Sequence, residues 1–193
     1  MTETRSGARH GAVTDPPSRA AIYLTDWQAA DLEAGKFFPA TEAGLQDPFA
    51  PEDVVSATPP PDGRIASAGR DYAAMLDEPR PDWQAHQVSP GESLTVSWHF
   101  RMPHKTRRWN YFLTRPDWDP GLPLSRAQFE PEPFHVVQLP CQPFWQCDDL
   151  EPENPTQHTF TLPERSGRQV LLAVWEVADT GNAFYQVIDL DFG

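Results

Sequence analysis

From residue 92 onward, apolar and polar positions alternate with a period of two. In ESLTVSWHFRM, Leu94, Val96, Trp98 and Phe100 share one phase, while Thr95, Ser97 and His99 share the other. That is the pattern of a strand with one buried face. RRWNYFLTR predicts a second strand, followed by a turn over 116–121; QHTFTL predicts a shorter one, and AFYQVIDLDF alternates again. RQVLLAVWEVAD is apolar in both phases, as a central strand covered on two sides would be. Residues 10–85 hold no sustained period and are rich in turns, as in ATPPPDGRIASAG. Two short helices are predicted there. One spans 25–33, where Thr25 caps the start, Gln28 answers three residues on and Gly35 follows as a stop; the other spans 71–76. Several strands joined by proline-rich turns predict an all-β fold, a sandwich of immunoglobulin or fibronectin-III type. The first half is then a large loop region containing short helices, packed on one end, and loops that long in a compact domain usually carry function.

Composition narrows the picture. The 193 residues suit one domain, over 10–193, with 1–9 as a disordered leader or tail. A hydrophobic fraction of 39% supports a core, and 22 prolines with 11 glycines favour short strands joined by long ordered loops. With 15 basic against 28 acidic side chains, the formal charge of −13 repels phosphate backbones and anionic membrane surfaces. Nucleic acid and membranes are therefore excluded as partners, whereas a neutral polysaccharide is permitted. No run approaches the roughly 20 apolar residues of a membrane span, and MTETRSGAR contains no apolar stretch to serve as a signal-peptide core. As written, the chain is not marked for export. Cys141 and Cys147 lie in a proline-containing loop and either close a small disulfide ring or remain free thiols.

Two histidines carry candidate chemistry. His10 opens HGAVTDPPSR, and His104 follows a strand in RMPHKTRRWNYF. Imidazole is a good ligand for copper or zinc, although two histidines distant in sequence are most often surface or satisfied side chains. Phe184 is in strand phase with Ile188, and Trp175 lies in the two-sided strand, so core packing accounts for both. An exposed aromatic ring, in contrast, could stack on sugars. No pair of carboxylates stands out as acid and nucleophile for hydrolysis.

HGAVTDPPSR resembles the mature N-terminus of the bacterial lytic polysaccharide monooxygenases. PPPDGRIASAG, SWHFRMPHKTRRWNYFLTRPDWDPGLPLSRAQF and RQVLLAVWEVADTGNAFYQVIDLDF are similar to further blocks of that family, in its order. The match is closest to the single-domain, chitin-binding branch; it covers nearly the whole chain after residue 9 and is weakest over 22–54 and 135–159. The resemblance implies one copper ion held in a histidine brace, with His10 binding through its amino group and imidazole and His104 through its imidazole. It implies that Phe184 is the apolar ring beside the axial position, that Trp175 is the buried tryptophan near copper, and that Asp179 lies near the substrate face. Around Phe37 falls the exposed aromatic of a flat binding face. Glu42 lies near an acid that the family keeps behind the ligands, with Ala43 as its direct counterpart. His86, His99, His135 and His158 are read as structural or surface residues. The implied reaction is reductant-dependent oxidative cleavage of β-1,4 bonds at C1, on crystalline chitin before cellulose. The implied partners are a small-molecule or protein electron donor, and the implied protein is a secreted monomer.

Three departures bear on that reading. Arg9 precedes His10, so the His10 nitrogen is an amide in the sequence as written, and an amide is a poor copper donor. Met102 stands where the family keeps a small alanine two residues before its second histidine, which predicts crowding beside the metal, though a thioether could also sit near Cu(I). The paired cysteines of the branch are missing, with His135 and Phe160 aligned to one pair. Lost disulfides and an unprocessed start both suit a cytosolic protein as well as a secreted one with a misassigned start. The alternatives to the enzyme are a non-catalytic chitin- or glycan-binding protein with a lost or incomplete copper site, and a protein that handles copper without attacking polysaccharide.

Overall fold

The computed structural model describes residues 10–50 and 52–193; the leader expected over 1–9 lies outside the described residues. Two antiparallel sheets form a sandwich. One has three strands in the order β1 (Gly11–Asp15), β4 (Ser93–Phe100), β7 (Thr156–Thr161). The other runs β2 (Glu33–Gly35), β9 (Asn182–Asp191), β8 (Arg168–Val177), β5 (Thr106–Leu113), β6 (His135–Val137), with β3 (His86–Gln87) added in parallel against β9. The strands predicted from residue 92 onward are all present, and the one-sided phase of β4 holds: Leu94, Val96, Trp98 and Phe100 enter the core between the sheets. They meet Trp109 and Tyr111 from β5, Leu171, Ala173 and Trp175 from β8, and Phe184 and Ile188 from β9.

The opposite face of the larger sheet is buried as well. Phe112, Leu172, Val174, Tyr185 and Val187 pack against Ala29, Leu32, Phe38, Ile65, Leu76 and Trp83, all supplied by the first half of the chain. This third layer is why β8 is apolar in both phases. It also corrects the picture of a loop region placed at one end: the first half covers a whole sheet face and contributes β1 and β2 to the sheets.

The local elements of that layer follow from capping. Ser18 accepts from the Ala21 N–H and starts α1 (Arg19–Tyr23), which the sequence pattern did not mark. Thr25 and Gln28 form the expected capping box at α2 (Asp26–Ala30), in which Thr25 Oγ1 accepts from the Gln28 N–H and Gln28 Oε1 accepts from the Thr25 N–H. The helix ends at Ala30 and does not reach Glu33, because 33–35 pair with β9, Glu33 opposite Phe184. Over Asp71–Asp77 the chain winds as a 3₁₀ helix. Cys141 and Cys147 are joined in a disulfide, which settles their pairing. No helix among the described residues is long and apolar enough to cross a membrane.

Candidate metal centre

At one end of the sandwich the two candidate histidines meet. His10 immediately precedes β1 and His104 lies in the β4–β5 loop. The β1–β4 pairing continues one step past Gly11, where the Arg101 N–H donates to the His10 carbonyl at 2.8 Å. Gly11 is required by close approach, since a Cβ there would stand 2.5 Å from Phe100 Cδ1. The backbone of His10 is thus fixed by β4, the same strand that leads into the His104 loop.

Phe184, fully buried on β9, lies beside both imidazoles, 5.9 Å from the His10 ring and 5.7 Å from that of His104. Trp175 stacks behind it at 4.9 Å and donates its indole N–H to Thr106 Oγ1 at 2.9 Å. Both rings are core residues and both lie near the histidines, because this end of the inter-sheet core is open. Asp179, exposed in the turn between β8 and β9, brings Oδ1 to 3.3 Å from His104 Nδ1. A carboxylate only accepts, so Nδ1 carries the proton and Nε2 is left with its lone pair.

His10 is buried, and desolvation lowers its pKa below the ordinary value, against the opposing pull of Asp31 and Glu33. Asp31 Oδ1 lies 3.4 Å from His10 Nδ1, yet among the described residues Nδ1 has no hydrogen-bond partner. A buried imidazole nitrogen with no hydrogen-bond partner is the observation that fits a metal ligand. The donor set fits copper, since two neutral imidazoles suit both of its oxidation states and a phenylalanine adds no donor. Among the described residues no group of three or more His, Cys, Asp or Glu side chains gathers around a metal position; a brace needs only two such side chains, its remaining nitrogen being main chain.

Other expected residues are placed differently. Met102 is on the His104 loop but 41% exposed. Phe37, expected as an exposed ring on a flat face, is half-buried: its backbone is left-handed at φ 75°, its N–H donates to Glu176, and the cations of Lys36 and Arg107 lie over its ring at 5.3 and 4.9 Å. Satisfying the buried Lys36, Arg107 and Glu176 draws the ring inward. Glu42 is exposed and makes no hydrogen bond or ion pair with the described residues, so it does not stand behind the ligands. The acid that does approach His10 is Asp31, just past the end of α2. The predicted helix across 25–33 masked it. Sequence reasoning also passed over Trp27, a residue 57% exposed whose ring lies 6.4 Å from that of His10. His158 is buried and structural, while His86 and His99 are at the surface and His135 is half-buried.

This geometry agrees with comparison to known proteins. The family described as lytic polysaccharide mono-oxygenase, cellulose-degrading, matches residues 10–190. The chain therefore belongs to the lytic polysaccharide mono-oxygenase family. It is 42% identical over 182 residues to GlcNAc-binding protein A of Vibrio vulnificus, a match covering 94% of this chain and 36% of that protein. The chain thus spans about a third of the length of the curated relatives it matches. Among solved structures it is similar to a chitin binding domain from Burkholderia pseudomallei, with TM-score 0.91 and 52% identity over 96% of this chain and all of that one. It is also similar to an AA10 lytic polysaccharide monooxygenase from Streptomyces lividans, with TM-score 0.76 and 32% identity over 95% of this chain and 100% of the other.

Proposed function

We propose that this protein is a copper-dependent mono-oxygenase that binds the surface of chitin as a monomer and cleaves its β-1,4 bonds by oxidation at C1. The observation that carries the reading is the pair of imidazoles around Phe184, with His10 Nδ1 buried and lacking a hydrogen-bond partner. His10 offers Nδ1 and, where its amino group is free, its main-chain nitrogen; His104 offers Nε2. Copper bound there would supply the redox chemistry by which dioxygen, with electrons from an external donor, or peroxide oxidises the sugar carbon. Asp179 holds the His104 ring in one tautomer and orientation. Phe184 presents an apolar edge that keeps side-chain donors off one side of the pair, and Trp175, tied to Thr106, prevents that ring from shifting. Chitin is favoured by the similarity to GlcNAc-binding proteins and to a chitin binding domain, and cellulose by the family's cellulose-degrading character. The Cys141–Cys147 disulfide suits an oxidising compartment and hence secretion.

The second reading is a non-catalytic glycan-binding protein on the same sandwich, and the Arg9–His10 peptide bond of the given sequence favours it, since it makes the His10 nitrogen an amide. One assay separates the two. The protein beginning at His10, loaded with copper and given ascorbate and β-chitin, is expected to release chito-oligosaccharides carrying a C1 acid, detected by mass spectrometry, and His104→Ala is expected to release none. Retention on chitin without oxidised products would leave the binding reading; products from cellulose alone would reassign the substrate.

A further inference from the structure

We infer that a cleft on the flank of the metal end binds a neutral, single-ring electron donor of the hydroquinone type. The inference deepens the mono-oxygenase reading above and rests on it for the donor's role. The cleft, of about 280 Å³, lies between the outer face of the three-stranded sheet and the helices α1 and α2. Ala12 from β1, Ala21 from α1, and Ala29 and Ala30 from α2 give it an apolar floor and wall. Two hydrogen-bonded pairs stand on its rim. Thr14 Oγ1 and His99 Nδ1 are 2.6 Å apart, and Arg101 Nη2 donates to Asp26 Oδ2 at 2.8 Å. His99 and Arg101 are two residues apart on the line of β4, which spaces the pairs by about 7 Å. The cleft is formed before any ligand arrives: Asn154 accepts from the Phe100 N–H at 3.0 Å and donates to its carbonyl at 2.7 Å, and the capping box at Thr25 starts α2.

An apolar cavity of roughly 150 Å³ takes up benzene, so this cleft has room for one substituted ring. A sugar suits it poorly, because the hydroxyls around a pyranose outnumber the rim pairs and alanine offers them nothing. An aromatic diol keeps its faces apolar and its hydroxyls at the edge, where the two pairs stand. The formal charge of −13 disfavours an anionic donor such as ascorbate. The position suits electron delivery: the Arg101 N–H is bound to the His10 carbonyl at 2.8 Å, and Ala12 is two residues, about 7 Å, from His10 along the chain. A polysaccharide lying over the open end would cover the direct approach to the histidines and leave the flank open. With copper held there, one electron would pass from the ring to Cu(II), giving Cu(I), and one phenolic proton would pass to water at the cleft mouth. The aryloxyl radical then leaves, and two such radicals disproportionate to one quinone and one hydroquinone.

The test is titration of the metal-free full chain with hydroquinone, read by heteronuclear NMR and calorimetry, for the wild type, Ala21→Leu and Thr14→Val. A leucine at half-buried Ala21 fills the cleft, and Thr14→Val removes a hydroxyl from an exposed rim position at nearly constant shape. The wild type is expected to bind at about millimolar affinity, with shifts confined to the cleft. Ala21→Leu should weaken binding at least about tenfold and Thr14→Val about twofold to tenfold, and ascorbate should leave the spectra unchanged. A second arm uses the copper-loaded protein beginning at His10, which retains both sheets and the whole described core. There the reduction of Cu(II) by hydroquinone, followed as loss of the paramagnetic signal, should saturate in the wild type and slow about tenfold in Ala21→Leu. Reduction by ascorbate should be equal in the two. Absence of hydroquinone binding, or binding that neither variant weakens, would overturn the inference and leave the parent reading standing. So would hydroquinone reduction that is equally fast in Ala21→Leu. Should Ala21→Leu unfold, the folded Thr14→Val decides both arms. A protein that takes up no copper would remove the parent reading, and the donor role with it.

Discussion

The two histidines are made different by their neighbours. His104 has a carboxylate at Nδ1, whereas His10 Nδ1 is buried beside Asp31 without a hydrogen bond. Partners that orient a ligating imidazole typically contribute one to two orders of magnitude in metal affinity. Asp179→Asn is therefore expected to weaken copper binding about tenfold to a hundredfold while the fold survives, as read by calorimetry and unfolding temperature; unchanged affinity would assign Asp179 to substrate contact alone. A third histidine, His158, works inside the core. Trp98 donates to the Tyr111 hydroxyl at 3.1 Å, and that hydroxyl is hydrogen-bonded to His158 Nδ1 at 2.7 Å. Burial pushes the His158 pKa down from 6.5 to about 4, which favours the neutral ring. The unfolded chain takes up this proton first, so stability is full above pH 6.5, falls as pH drops toward 4, and levels off below. The loss is on the order of 3 kcal/mol at most. In His158→Gln, which keeps an acceptor and loses the titration, thermal stability should fall less between pH 7 and pH 4 than in the wild type.

At the scale of elements, a buried ionic cluster ties the 45–56 segment to the ends of β5 and β8. Asp53 accepts from Lys36 at 3.1 Å and faces Arg107 at 3.0 Å, while Glu176 accepts from Arg108 at 2.7 Å and Asn110 at 3.1 Å. Burial lowers the Lys36 pKa, against the hydrogen bond and charge of Asp53 that support its ammonium form. Removing one partner leaves an uncompensated buried charge, so Asp53→Ala should destabilise by about 3–5 kcal/mol in denaturant unfolding. This cluster also marks where reading the sequence stops. Strand phase is local, so β4, β5, β7, β8 and β9 were legible, and the capping box of α2 was legible from Thr25 and Gln28 alone. Phe37 looked like surface until long-range partners, Arg107 and Glu176, were brought to it. The end of α2 and the strand β2 were hidden for the same reason: Glu33 pairs with a strand some 150 residues later in the chain. The ordered motifs named His10, His104, Phe184, Trp175 and Asp179, which the fold brings to one place; Asp31 and Trp27 lie in the stretch where those motifs are weakest.

For the molecule as a whole, the sandwich supplies rigidity and one open end supplies chemistry. The aromatic core of Trp98, Phe100, Trp175 and Phe184 runs continuously to the histidine pair, so the site is an extension of the core and not a loop appended to it. What the fold does not fix is the third nitrogen, which depends on whether the peptide bond before His10 is cut. The decisive measurement is copper titration by calorimetry and electron paramagnetic resonance on the full chain and on the form beginning at His10. The account predicts tight binding of one copper with a tetragonal type 2 spectrum in the trimmed form, and much weaker binding in the full chain. Failure of both forms to bind copper tightly would contradict the mono-oxygenase reading and leave a glycan-binding sandwich.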